Sequence, residues 1–498
     1  MKSLKSASLD GIDAVSIDVE STFTKGLPSF SIVGMANTAI QESKERIKSS
    51  LLTNEFKFPP KRITINLSPS ELAKKGSHID LPIALLIALQ ETKLNLKDFY
   101  VFGELGLDGK LKDTKSIFVL ILSLVRQGKI KNVLIPKESI EKVSMIPNIN
   151  IYSVETLADA ILFFQSQDKE LYKISNKTYE YKSIIINNQN YFYQKNYKVD
   201  FADVKGQKIA KRAAQLSAAG GHNIIFEGSP GCGKSMIAKR LQYITPPMEL
   251  EEILDIAKME SLQLKQPTFI PQRTFISPHH SSTKASIVGG TQIGEVALSN
   301  HGVLFFDELP HYDKNVLEAM REPLEDYEIS ISRVNSKVKY PTKFLFVAAQ
   351  NPCPCGNLLS QTKLCRCNDV EIQRYKNKIS DPFLDRIDLY VVMNEVTKED
   401  KSDVTSEQLH LQVLEVFKRQ KLRGQKELNG KLNDEDIKKY CTISIEAQNI
   451  LDLSIEKFAL SFRSINKVLK VSRTIADLDN SHTIEKQHII EALSYRKR

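Results

Sequence analysis

Apolar and polar positions alternate with period two across residues 14–19 and 29–34, and this alternation predicts half-buried strands. Helical spacing takes over across 37–52, and 80–89 is apolar enough for a buried helix. Residues 100–112 read as strand–turn–strand about Asp108-Gly109, followed by a helix at 117–127 and a strand at Asn132–Pro136. From 165 to 199 the chain turns to Asn, Gln, Lys, Tyr and Ser with one short apolar run at 183–186, which predicts a linker. Apolar runs at 223–226, 303–306, 343–349 and 389–393 then read as strands of an α/β sheet. Between the second and third of them, 328–340 alternates on both sides of Asn335-Ser336 and predicts a hairpin. From about 400 the pattern is helical throughout, with Lys467, Lys470 and Arg473 on roughly one face, either solvated or turned to a neighbouring subunit.

At 498 residues the chain exceeds one compact core, so several domains are expected: 1–164, a linker at 165–199, 200–398 and a helical 399–498. The 41% hydrophobic and 26% charged residues suit a water-soluble globular protein, with no run that spans a bilayer and no signal peptide, so no membrane partner and a cytoplasmic location are expected. The formal charge of +9 is compatible with a polyanionic partner and equally with solvated surface.

The chemistry centres on Gly228-Ser229-Pro230-Gly231-Cys232-Gly233-Lys234-Ser235, a G-x-x-x-x-G-K-S run after a strand and before a helix. Glycines there let successive N–H groups face phosphate oxygens; Lys234 reaches the β- and γ-phosphates of ATP and Ser235 a Mg²⁺ ion. Asp307 and Glu308 close an apolar strand, where Asp307 would hold Mg²⁺ and Glu308 would polarise the attacking water. Asn351 ends another strand at the edge where parallel sheets bind ligands. Arg386 reads as an arginine finger or as a local partner of Asp385 or Asp388.

Four of the six cysteines fall within fifteen residues as Cys353-Pro354-Cys355 and Cys365-Arg366-Cys367. Four thiolates at this spacing suit a structural Zn²⁺, the alternative being reduced thiols packed in a loop. Cys232 and Cys441 lie outside the cluster without an assigned role there, and His279 and His280 are unassigned. On the hairpin, Arg333, Lys337 and Lys339 would face DNA phosphates if it projects into a pore; otherwise they protect an exposed edge.

Gly103-Glu104-Leu105-Gly106-Leu107-Asp108-Gly109-Lys110 and Lys131-Asn132-Val133-Leu134-Ile135-Pro136-Lys137-Glu138 resemble segments of the Lon protease catalytic domain. The resemblance does not carry proteolysis, because Ile83 stands where that family has its serine and Ser77 has no identifiable base. The order of P-loop, acidic strand, Asn351 and Arg386 resembles the magnesium-chelatase-like AAA+ ATPases, and specifically the YifB/ComM family. Its signature segments stand here as Ser277-Pro278-His279-His280-Ser281, Asn351-Pro352-Cys353-Pro354-Cys355-Gly356 and Arg473-Thr474-Ile475-Ala476-Asp477-Leu478. The resemblance implies an α/β chain with a Lon-like (ribosomal-protein-S5-domain-2-like) α+β front, an AAA+ domain with a parallel sheet, and a helical lid whose Arg463 matches the sensor 2 position. It also implies a homo-hexamer with Arg386 acting in a neighbour's site, moving single-stranded or branched DNA to drive branch migration in natural transformation. The alternative is a chelatase- or chaperone-like ATPase that remodels a protein partner.

Overall fold

The structure, a computed structural model, describes residues 2–56, 58–92, 98–333, 336–397 and 399–496, except for the side chains of Arg333 and Ser336. The chain divides into two compact units, Met1–Glu180 with Ala257–Phe269, and Tyr181–Ile256 with Ile270–Arg498.

The first unit is built on β1 (Lys2–Asp10), β2 (Asp13–Thr24), β3 (Ser29–Val33), β4 (Arg62–Ser68), β5 (Phe99–Val101), the small hairpin β6 (Glu104–Leu105) and β7 (Leu111–Lys112), β8 (Asn132–Pro136), β9 (Asn150–Val154) and β10 (Lys173–Ile174). All but the hairpin join one mixed sheet of order β10-β9-β8-β5-β1-β2-β4-β3. The helix Asp80–Ala88 is apolar all round because it is buried all round, with Leu81, Ile83, Leu85 and Leu86 fully enclosed. Ile83 is thus a packing residue, and the Ser77 hydroxyl donates to Glu104. Burial pushes the Asp80 carboxyl up to about 6, against the pull of Arg46, whose Nε sits 2.9 Å away. Residues 257–269, which the sequence placed with the nucleotide domain, belong to this unit. Phe269 meets Phe118 edge-on at 5.4 Å and Lys258 pairs with Asp13 at 3.0 Å.

In the second unit the stretch read as linker carries a hairpin, β11 (Lys182–Ile186) with β12 (Gln189–Tyr193). Its inward residues are aromatic: Tyr191 meets Phe417 edge-on at 5.0 Å, and Phe192 exchanges backbone hydrogen bonds of 2.7 and 2.8 Å with Met248. Polar composition masked this order, because Asn and Gln surround the few buried apolar residues, Ile186, Tyr191 and Phe192.

The sheet that follows contains β13 (Ile224–Gly228), β14 (Phe275–Ile276), β15 (Val303–Phe306), β18 (Leu345–Gln350) and β19 (Leu389–Met393), all parallel, in the order β14-β15-β18-β13-β19. Strands β13, β15 and β18 are fully buried, covered on both faces. Ile224, Phe226, Val303, Phe305, Val347 and Ala349 face a core that continues into the tail through Val413, Val468, Ile475 and Ile489. Ile225, Leu304, Phe306, Phe346 and Ala348 face the opposite core with Leu317, Met320 and Phe383. The nucleotide domain and the helical tail therefore share one hydrophobic core.

The hairpin β16 (Glu328–Arg333) and β17 (Ser336–Pro341) turns Ile329, Ile331, Val338 and Tyr340 inward and Lys337 and Lys339 outward. Its tip at residues 334–335 and the Arg333 side chain lie outside the described residues.

In the tail, Lys467, Lys470 and Arg473 do not share one exposed face, since Lys467 and Lys470 are half-buried. Arg473 is fully buried, 3.0 Å from Asp477 and 2.7 Å from the carbonyl of His482. Lys467 donates to the carbonyls of Asp385 and Ile387, and burial lowers the Lys470 ammonium. The R-T-x-x-D spacing is an i,i+4 ion pair inside the lid, joined by Arg423 and Asn429 on the same carboxylate.

Candidate nucleotide site

Sheet order assembles this site. The P-loop leaves β13, Asp307 follows β15, and β18 lies between the two, so Asn351 emerges from the crevice that the crossover opens. Gly233 holds φ +97 at the entry to the helix Lys234–Leu241, a backbone that an L side chain rarely adopts, and a Cβ there would meet open space rather than protein. That space is where phosphate would approach the loop's N–H groups.

Lys234 Nζ donates to the carbonyls of Gly228 at 2.6 Å and Ser229 at 3.0 Å and to Asn351 Oδ1 at 3.2 Å, and partial burial lowers its pKa. Ser235 Oγ donates to Asp307 Oδ2 across 2.9 Å. A hydroxyl beside a carboxylate, both hard oxygen donors, fits Mg²⁺, and the pair could share that ion.

Glu308 has φ +53, a left-handed conformation that costs a non-glycine residue about 1–2 kcal/mol. Its carboxylate lies 3.7 Å from His280 Nδ1 and 3.5 Å from His311 Nδ1, and the His279 and His280 rings lie tilted with centroids 4.3 Å apart. Sequence alone assigns no role to His280 or His311. A histidine three residues after the acidic pair, on the turn Leu309–His311, was the available signal.

Arg386 lies elsewhere. Its carbonyl accepts from Asn223 Nδ2 at 3.1 Å, so it sits at the beginning of β13, whereas the P-loop leaves the end of that five-residue strand. The offset is roughly 16 Å at 3.3 Å per residue. Neither Asp385 nor Asp388 is its ion-pair partner: its guanidinium donates to Glu325 and to the carbonyls of Arg321 and Pro382. Arg463 reaches the same Glu325. The two arginines therefore form one cluster, apart from Lys234 of their own chain.

The thiols of Cys353, Cys355 and Cys365 stand 3.5 to 3.7 Å apart, and all four sulfurs, with Cys367, lie within 4.8 Å of one another. Zn–S bonds of about 2.3 Å give a tetrahedral S···S edge of about 3.8 Å, so the donor set fits a closed four-thiolate ion. Backbone N–H groups of Arg366 and Asn357 aimed at Cys355 bring its thiol down to about 6. On the hairpin, Lys339 pairs with Glu328 at 2.6 Å, while Lys337 is exposed.

A five-stranded parallel sheet carrying a P-loop, an acidic strand end and a polar strand end between them, with a helical lid on the same core, defines a magnesium-chelatase-like AAA+ ATPase. Family comparison agrees: residues 200–401 match magnesium chelatase subunit ChlI, 19–139 match subunit ChlI of Mg-chelatase, and 403–496 match the ChlI C-terminal family. The chain is 37% identical to competence protein ComM of Haemophilus influenzae, over 98% of this chain and 95% of that one. It is 34% identical to the YifB proteins of Salmonella typhimurium and Escherichia coli, again over 98% of this chain and 95% of each relative. The chain belongs to the ComM/YifB family, whose AAA+ site is one for ATP and Mg²⁺. Among the described residues no helix is long and apolar enough to cross a membrane.

Proposed function

We propose that this protein is an ATP-driven DNA motor that works as a hexameric ring and promotes branch migration during the uptake and recombination of incoming strands, in keeping with the competence named in its ComM relative. The observation that carries the ring is the joint placement of Arg386 and Arg463 on Glu325, a strand's length from their own P-loop. An arginine so placed serves a γ-phosphate on another subunit, and a heterologous interface that closes makes a ring.

Within one site, a Mg²⁺ ion, when bound, would supply positive charge to offset the charge that develops on the phosphates. Ser235 and Asp307 would hold that ion. Lys234 exchanges its carbonyl partners for phosphate oxygens, Asn351 steadies Lys234 and the attacking water, and Glu308 accepts that water's proton, aimed by its left-handed backbone and by His280 and His311. The backbone N–H groups of residues 228–235 cradle the phosphates. Cys353, Cys355, Cys365 and Cys367 would hold a structural zinc. The hairpin meets DNA through Arg333, Lys337 and Lys339.

Hydrolysis by the full chain, measured with and without forked DNA, tests the reading. Stimulation supports it; ATP turnover with neither DNA binding nor stimulation rejects it. The pairing of Lys339 with Glu328 favours a second reading, a remodeller acting on a protein partner through its non-proteolytic Lon-like front, because it leaves fewer free cations on the hairpin. Retained partner binding after neutralising the hairpin cations would support that alternative.

A further inference from the structure

The four cysteines are not remote from the nucleotide loop. Asn351, whose side chain accepts from Lys234, is followed two residues later by the fully buried Cys353. The chain then turns back through a 3.0 Å bond from Gly356 N–H to the Cys353 carbonyl. Gly356 is left-handed at φ +79, and a Cβ on it would stand 2.7 Å from both Cγ and Cδ of Pro230 and 3.8 Å from Asn351 Cγ. Pro230 belongs to the P-loop itself. The C-P-C-G turn thus lies against the ring of a P-loop residue, and only a residue without a side chain allows so close an approach.

We propose that the four-cysteine knuckle, when it holds its metal, is a wall of the nucleotide site, so that metal occupancy and nucleotide binding are coupled. The inference rests on the zinc reading above. With an ion joining Cys353 and Cys355 to Cys365 and Cys367, the turn is fixed at both ends and presses Gly356 onto Pro230 while Asn351 stays in register with Lys234. Without it, the turn loses the link between its two cysteine pairs, and the contact with Pro230 loosens. Coupling of this kind is reciprocal: if zinc tightens nucleotide binding, nucleotide must tighten zinc by the same factor.

The test uses the full chain purified in zinc. Metal is counted by release to a chromogenic chelator when the thiols are titrated with a mercurial, and about one zinc per chain is expected. No zinc would remove the zinc reading itself, and the coupling with it. With zinc present, loss to a strong chelator is timed with and without saturating Mg·ADP, and the affinity of a fluorescent ADP is measured in loaded and stripped protein. The expectation is about a tenfold slower loss with nucleotide and about a tenfold weaker affinity after stripping. Equal rates and equal affinities overturn the coupling while leaving the zinc in place. Because stripping alone could unfold the loop, Gly356→Ala is measured in the zinc-loaded state. It should keep its zinc and lose about tenfold in ADP affinity; zinc-loaded Gly356→Ala that binds ADP as the wild type does would also overturn the proposal.

Discussion

Arg386 and Arg463 converge on one carboxylate, that of Glu325. One arginine precedes β19 and the other opens a helix of the lid, so the shared acid ties two elements of the second unit into a single cationic edge. If that edge completes a neighbour's site, Arg386→Ala and Arg463→Ala should each bind nucleotide normally and lose turnover. For Arg386 the loss should be about 10³-fold, the low end for an arginine finger. Mixing inactive Lys234→Ala with inactive Arg386→Ala protein should restore activity at about a quarter of the sites in a randomly mixed ring. Absence of any rescue in assembled mixed rings would argue for action in cis.

Glu308→Gln should keep ATP and Mg²⁺ binding and abolish hydrolysis, whereas Asp307→Asn should weaken Mg²⁺ binding. His280→Ala and His311→Ala should lower kcat by about tenfold and leave KM for ATP little changed, since each touches the carboxylate and not the phosphates. Steady-state kinetics with ATP varied at fixed Mg²⁺ decides this.

Lys337→Gln and Lys339→Gln should differ. Lys337 is exposed, and its loss should weaken DNA binding and lower the salt slope by about one. Lys339 is already offset by Glu328, so its removal should change affinity much less. Fluorescence anisotropy of labelled forked DNA across a salt series measures both.

Burial holds the imidazoles of His222 and His410 down to about 4. As pH falls below 6.5 the unfolded chain takes up protons at these rings that the folded chain refuses until about pH 4. The stability they confer is therefore complete above pH 6.5 and lost on acidification, on the order of 3 kcal/mol each at the limit. Thermal unfolding between pH 7 and 4 should show the second unit weakening through that window, and His410→Gln should flatten the dependence.

Replacing Asp477 by Ala should destabilise the lid by about 3–5 kcal/mol, because it strands the enclosed Arg473 without its partner. Denaturant melts of the full chain would register this as a lower midpoint, and an unchanged midpoint would remove the structural account of this pair.

Local chemistry was legible in the sequence. A strand running into G-x-x-x-x-G-K-S, an apolar run ending in Asp307-Glu308, a two-fold pair of C-x-C steps and the alternation of 328–340 each depend on residues close in the chain, whose spacing fixes which backbone or side-chain groups can act together. Fold class followed for the same reason, since periodicity records which face of each element is buried. Sequence also explains why Ile83 packs rather than attacks.

Tertiary structure decided what spacing cannot encode. The order β14-β15-β18-β13-β19 brings Asn351 beside Lys234, residues from strands far apart in sequence. The same order leaves Arg386 a strand's length from the P-loop, and the packing of the lid joins it to Arg463 through a glutamate that no motif marks. Burial turned Arg473 from a surface candidate into an internal ion pair, and ordered residues 182–193 through the packing of Tyr191 on Phe417, which composition alone disguised. It also laid the cysteine turn against Pro230. Contacts of this kind form between elements, and their energy comes from excluding water across surfaces that meet only once the chain has folded.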